Sequence, residues 1–235
     1  MSGTPQLPLG FSAPPHHRLA AFVPGEDVTA LEAVTAVARG ESDAWLFVAG
    51  PEGSGKTHLL VGACHEVAAR RAQYLPLARL GEAAEDALIA TAPGLLVAVD
   101  DVDAIAGRLG AEIALFDAYN RVRDAGGQML FAARHRPGQL SLVLPDLVSR
   151  LAACTQLQQA PLGEEDRRRV FGLRAIERGL ELEPGVVEFL FRRHARDLGA
   201  LLALLDRIDR ESLAEQRRIT VPFLRRIVGL PPRER

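Results

Sequence analysis

Residues 45–60 read WLFVAGPEGSGKTHLL, and this stretch decides the fold. Trp45–Ala49 is an apolar run of strand length, Gly50–Gly55 is a glycine-rich turn, and from Thr57 onward the pattern is helical. Gly50, Gly55, Lys56 and Thr57 fill the G-x-x-x-x-G-K-[ST] template, with Gly53 as a further glycine inside the loop. The glycines let successive backbone N–H groups turn inward as a nest for phosphate oxygens. The helix that follows aims its positive end at the same anion. Lys56 is a compact ammonium on a flexible stem that reaches β- and γ-phosphates, where the broad fork of an arginine fits poorly. Thr57 offers a hydroxyl to Mg²⁺. Lys56 is also the only lysine, although Lys and Arg together number 28. The alternative is a glycine-rich turn with a solvent-facing lysine. The strand–loop–helix setting and the solitary lysine argue against it, so the loop predicts a site for ADP or ATP with Mg²⁺.

A second apolar run ends LLVAVDDVD, residues 95–103. It places Asp100 and Asp101 at the carboxyl edge of a strand, where parallel sheets bind ligands. Asp100 is the candidate to hold Mg²⁺ with Thr57, and Asp101 to orient or activate an attacking water. Two solvated turn aspartates are the alternative, and Asp103 reads as a polar turn residue. Strand patterns at 45–49, 74–78, 95–99, 129–133 and 155–158 alternate with helical patterns at 28–39, 57–73, 81–90 and 111–125. Gly126-Gly127 closes the last of these helices. Such alternation predicts an α/β fold with a parallel five-stranded sheet covered on both faces. After Pro161 only helical patterns follow, the last opened by Thr220 as N-cap with Pro222 in its first turn. The expected organisation is a tail over 1–18, a nucleotide-binding α/β domain over 19–162 and a small all-helical lid domain over 163–235.

Hydrophobic residues make up 48% and charged residues 25%, with a formal charge of −2. That profile is an ordinary globular one, with no global field toward nucleic acid or anionic membrane. Cys64 and Cys154 lack metal-ligand spacing and are too few for a disulfide framework. His58 and His65 share a helix with no third ligand in view, so no metal is assigned to them. Arg167-Arg168-Arg169 beside Glu164-Glu165-Asp166 reads as a solvated face with i,i+4 pairs. No signal peptide or membrane-spanning run is recognisable, and a cytoplasmic protein is expected.

Together these motifs resemble the AAA+ ATPases of the DnaA type, and among them the short relatives of the Hda family. GPEGSGKTHLL (50–60) is similar to the DnaA-type loop, and VAVDDVD (97–103) to its acidic strand. The resemblance implies Pro51, Gly53, Ser54, Gly55, Lys56, Thr57 and His58 at the nucleotide. FVPGEDVTALEAV (22–34) resembles the segment beside the adenine, which brings in Phe22 and Val23. LPDLVSRL (144–151) resembles the segment whose arginine, here Arg150, acts in trans on a neighbouring subunit's nucleotide. RDLGALLALLDRID (196–209) resembles the lid helix whose first arginine, here Arg196, covers the phosphates as sensor 2. No helix-turn-helix segment follows the lid, so no direct sequence-specific DNA binding is expected, and no membrane contact.

QLPLGF (6–11) is similar to the bacterial sliding-clamp binding motif. Leu7, Leu9 and Phe11 would fill an apolar groove while Gln6 hydrogen-bonds at its edge. The same positions also fit a tail with incidental apolar residues. Set before a DnaA-like core, they are read as the clamp motif. The resemblance thus implies two partners, the β sliding clamp and DnaA, with a second copy of the chain as a further candidate. It implies a replication regulator that is nucleoid-associated through the clamp and promotes hydrolysis of DnaA-bound ATP. An autonomous AAA+ ATPase or loader is the competing reading. A P-loop small-molecule kinase is disfavoured by the helical lid. In this family the strand equivalent to QMLFAAR (128–134) ends in a polar residue near the γ-phosphate. Here it reads Ala132-Ala133, followed by Arg134 and His135, so without a side chain to position water intrinsic ATPase is expected to be weak while binding persists.

Overall fold

The computed structural model describes residues 17–67, 72–194, 198–215 and 219–227. They fall into two compact units, the first ending at Pro161 and the second beginning at Leu162. The first contains α1 (Thr29–Ala38), β1 (Leu46–Ala49), α2 (Lys56–Glu66), β2 (Ala72–Pro76), α3 (Leu77–Leu80) and α4 (Ala84–Ile89). It continues through β3 (Leu96–Asp100), α5 (Leu109–Asp124), β4 (Gln128–Ala133), α6 (Pro145–Ala152) and β5 (Thr155–Gln158). The second contains α7 (Glu164–Glu177), α8 (Pro184–His194), α9 (Leu198–Glu215) and α10 (Val221–Ile227).

The five strands make one sheet in the order β2-β3-β4-β1-β5, every pair parallel. Side chains alternate across it, and both faces are covered. Phe47, Ala49, Val97, Val99, Met129 and Phe131 point into one core with α4, α5 and α6. Leu46, Val48, Leu96, Ala98, Leu130 and Ala132 point into the other with α1 and α2. This double coverage explains why β1, β3 and β4 are apolar runs, whereas the edge strand β5 buries only Leu157. Each large core side chain, Phe47 and Phe131 among them, contributes about 1.5–3 kcal/mol by leaving water.

Several element bounds differ from the sequence reading. The second strand lies at Ala72–Pro76 rather than 74–78, because Pro76 pairs with Asp100 and Leu77 already turns into α3. The helix after the loop ends at Glu66 rather than 73, since Val67 is extended (φ −77°, ψ 133°) and ends the turn ladder. The segment 81–90 is a 3₁₀ turn followed by the shorter α4. α5 ends as its glycines suggest: Gly126 has φ 70°, Gly127 N–H donates to Val122 O and Gly126 N–H to Arg123 O, a Schellman closure.

The second unit packs Phe171, Phe191, Leu190, Leu201, Leu205, Ile208 and Phe223 into its own core. Thr220 caps α10 through its hydroxyl to Phe223 N–H, 3.4 Å. Within the arginine run, Arg168 does more than face water. It pairs with Glu164 at 2.9 Å and with Glu188 of α8 at 3.2 Å, and its guanidinium lies 4.5 Å from the centre of the Phe191 ring. Among the described residues no helix is long and apolar enough to cross a membrane. Burial pushes the Cys64 and Cys154 thiols up to about 12, so both stay protonated.

Candidate nucleotide site

The carboxyl ends of β1, β3, β4 and β5 meet at one edge of the sheet, and the loop of residues 50–55 rises from it. Gly50 N–H donates to Ala133 O at 3.1 Å, and Gln159 N–H to Ala49 O at 2.7 Å. A Cβ on Gly50 would stand 2.5 Å from Gln159 O, so only glycine starts the loop this close to β5. Gly55 holds φ 90° with the Phe22 ring 2.6 Å from where a Cβ would be. Glycine is therefore required twice over, by torsion and by space.

α2 begins at Lys56 with no side chain capping its first N–H groups. Ser54 Oγ is buried inside the loop with no hydrogen-bond partner. An uncapped eleven-residue helix, an orphaned hydroxyl and a loop closed to any Cβ form a cradle that fits a phosphate group. Lys56 is 7% exposed, and its ammonium donates to Gly50 O at 2.7 Å and Pro51 O at 2.8 Å. Burial is the main effect lowering its pKa, opposed by Asp100, Asp101 and Asp103. It is the one side-chain cation held within the loop itself.

Phe22 also stands edge-on to His58, 5.2 Å between ring centres, while His58 Nε2 lies 2.8 Å from Arg18 O. Val23 beside it is buried. The segment expected near the base is thus packed on the first turn of α2. Pro51 and Gly53 are exposed on the rim.

Thr57 Oγ donates to Asp100 Oδ2 at 2.7 Å, uniting the two candidate Mg²⁺ ligands from separate motifs. Asp100 is 1% exposed. The same Oδ2 accepts the Tyr74 hydroxyl at 2.9 Å, and Oδ1 accepts Asp101 N–H at 3.0 Å. Two oxygens on one side of a phosphate cradle suit a Mg²⁺ that completes its shell with phosphate and water. Asp101 is the one non-glycine among the described residues with positive φ, 56°. That conformation turns it away from the strand direction at the sheet edge. Burial, then Asp100 and Asp103, raises its pKa to about 6, which leaves it mostly ionised at neutral pH with a higher proton affinity than an ordinary aspartate, as suits a proton acceptor.

Two residues near these groups went unassigned in the sequence reading. Tyr74 belongs to β2, and only sheet pairing brings it to Asp100. Arg134 is the first side chain beyond β4, since Ala132 and Ala133 are buried within the sheet. Its N–H donates to Asp103 Oδ1 at 3.0 Å, and its guanidinium lies 3.7 Å from Asp103 and 3.6 Å from Glu52 of the loop. A cation thus stands just beyond the strand end, tied to the loop through Glu52. Asp103, expected as a plain turn residue, tethers it.

Arg150 lies apart from this constellation, on α6. Leu147 and Leu151 bury one face of that helix, and the exposed Arg150 guanidinium stands 5.9 Å from the centre of the Tyr119 ring. Arg196, and Gln6, Leu7, Leu9 and Phe11, lie outside the described residues.

Residues 164–228 match the family model described as the Hda lid domain. Among solved structures, domain III of the Thermotoga maritima replication initiation protein DnaA is similar at TM-score 0.76 and 21% identity, over 92% of this chain and 97% of that one. Aquifex aeolicus DnaA, solved with AMPPCP, matches at TM-score 0.65 and 22% identity over 87% of this chain and 71% of that one. A Thermotoga maritima RuvB mutant matches at TM-score 0.65 and 17% identity, over 91% and 71%. These likenesses establish the fold of the DnaA AAA+ domain, and residues 164–228 follow it in sequence as a segment of the Hda lid type.

Proposed function

We propose that this Hda-like, DnaA-related AAA+ chain, a regulator in DNA replication, is a nucleotide-bound adaptor that docks on the sliding clamp and stimulates hydrolysis of DnaA-bound ATP. The observation that carries the reading is the match of residues 164–228 to the Hda lid, behind a P-loop core of DnaA fold.

The loop N–H groups and Lys56 would hold the phosphates of ADP or ATP, with Ser54 Oγ free to donate to the same oxygens. Lys56 must then exchange the Gly50 and Pro51 carbonyls for phosphate, a short swing of a flexible stem. Thr57 and Asp100 would hold Mg²⁺, which supplies charge neutralisation across the phosphates. Phe22 and Val23 would line the base, and Arg196 would approach the phosphates from the lid. Arg150, exposed and away from its own loop, would reach the nucleotide of a DnaA subunit. An arginine supplied in trans is worth about 10³–10⁵ in rate for such hydrolysis. Gln6, Leu7, Leu9 and Phe11 would attach the chain to the clamp.

The competing reading, an autonomous ATPase, draws on Asp101, whose raised pKa suits a base beside the cradle. The two readings separate on one comparison. Nucleotide retained after purification and lost in Lys56→Ala, with negligible turnover of the isolated chain, fits the adaptor. Robust turnover without partners fits the motor. Clamp pull-down with and without residues 1–18 tests the docking step. Retention of full clamp affinity by the shortened chain would remove that part of the proposal.

A further inference from the structure

α6 has eight residues and starts without a cap of its own. Leu144 in the N-cap position makes no side-chain cap bond, and Pro145 has no N–H to give. The N–H groups leading into the helix go instead to Glu112 of α5. Val143 N–H lies 3.1 and 2.8 Å from the two carboxylate oxygens, and Leu144 N–H donates to Oε2 at 2.8 Å. Gly107 N–H donates to Oε1 at 2.8 Å. Glu112 is 0% exposed, and a carboxylate is tolerated there because three backbone donors from two loops surround it. Its charge also faces the positive end of α6.

Two turns further along α5, on the same face, stands Tyr119. Its ring is wedged by Trp45 at 4.4 Å and Phe131 at 6.2 Å between centres. The Arg150 guanidinium lies 5.9 Å from that ring, within cation–π range. The Cys154 thiol donates to Arg150 O at 3.5 Å. Arg150 is thus steadied at its side chain by the Tyr119 ring and at its carbonyl by the Cys154 thiol.

We infer that α5 is the template that sets the reach of Arg150. Glu112 fixes where α6 starts, and Tyr119 fixes the guanidinium at its far end. Both are positioning residues, and the inference rests on the trans role of Arg150 proposed above. An exposed arginine gives up much rotamer freedom when it docks, and holding it in advance reduces that loss. Neither residue meets the chain's own phosphate cradle in the contacts described, so their effect falls on the partner's nucleotide.

The test uses the full chain on clamp-loaded DNA with DnaA carrying labelled ATP, titrating the chain to separate maximal rate from half-saturating concentration. Tyr119→Phe keeps the ring and holds the maximal rate within about twofold. Tyr119→Leu loses the ring and lowers the maximal rate by about two- to fivefold, with the half-saturating concentration unchanged. Glu112→Gln turns an acceptor into a donor among backbone N–H groups and misplaces α6, lowering the rate by about tenfold or more. The emission of Trp45, the only tryptophan, reports whether the α5 platform is intact in each variant. Should Glu112→Gln fail to fold, the contrast between the two Tyr119 variants decides. If Arg150→Ala abolishes stimulation while Tyr119→Leu and a folded Glu112→Gln keep it, the template role is overturned and the trans role stands. A shift in half-saturating concentration alone, with the maximal rate retained, also overturns it. If Arg150→Ala itself keeps the rate, the functional reading falls, and this inference with it.

Discussion

Replacing Tyr74 with phenylalanine takes one donor from the most buried carboxylate of the site. Asp100 Oδ2 receives both Thr57, at 2.7 Å, and Tyr74, at 2.9 Å, while Oδ1 receives only Asp101 N–H. A hydrogen bond to a charged group contributes about 1.5–3 kcal/mol. Asp100 keeps two donors in the variant, so the lower part of that range applies, about 1.5–2 kcal/mol. For a protein of this size each kcal/mol moves Tm by about 2–4 °C, which gives a fall of about 3–8 °C. Burial and Asp100 push the Tyr74 phenol far above its ordinary pKa, so it remains a donor throughout the neutral and mildly alkaline range. The fall in Tm is therefore the same at pH 7 and pH 9. Thermal unfolding in chelator, followed by calorimetry and by Trp45 emission, measures it. Because Thr57 and Tyr74 share one oxygen, Tyr74→Phe and Thr57→Val should be non-additive by about 0.5 kcal/mol or more. A Tm within about 1 °C of the wild type, or strict additivity, would refute the network.

Three further outcomes follow from the same geometry. Gly55→Ala places a Cβ against Phe22 at positive φ; nucleotide affinity measured by titration calorimetry should drop at least about tenfold, and unchanged affinity would contradict the cradle. Phe47→Ala, in the fully buried centre of the sheet, should lose about 3–5 kcal/mol in denaturant unfolding, and a loss under about 1 kcal/mol would mean that the core is not packed as described. Asp101 has a folded pKa of about 6 against 3.8 unfolded, so the native state binds the extra proton. Its contribution to apo stability therefore rises as pH falls from about 7 to about 4, and the difference between wild type and Asp101→Asn in denaturation midpoint should change sign-consistently over that window. A difference that stays flat with pH would place the titration elsewhere.

The architecture was legible because the sheet is buried on both faces. Its inner strands β1, β3 and β4 read as apolar runs, and the glycine loop with its solitary lysine marked which strand carries the site. Bounds slipped where pairing rather than local pattern decides. Pro76 belongs to β2 because it faces Asp100 across the sheet, and no local signal says so. The helix ends at Glu66 because Val67 is already extended, and β2 begins at Ala72. At the site, Lys56, Thr57 and Asp100 followed from motif spacing. Tyr74 did not, since its role depends on which strand lies beside β3. Glu112 was invisible for the same reason: its donors sit at 107, 143 and 144, and only the folded chain gathers them. Ala132-Ala133 end the strand without a polar side chain. The next residue, Arg134, carries the charge there and is held by Asp103 and Glu52.

The most direct measurement is the loss of labelled ATP from DnaA on clamp-loaded DNA, with this chain added as wild type or as Arg150→Ala. The account predicts rapid conversion to ADP with the wild type and the unstimulated rate with Arg150→Ala, while both bind the clamp equally. Equal stimulation by the two proteins would contradict it.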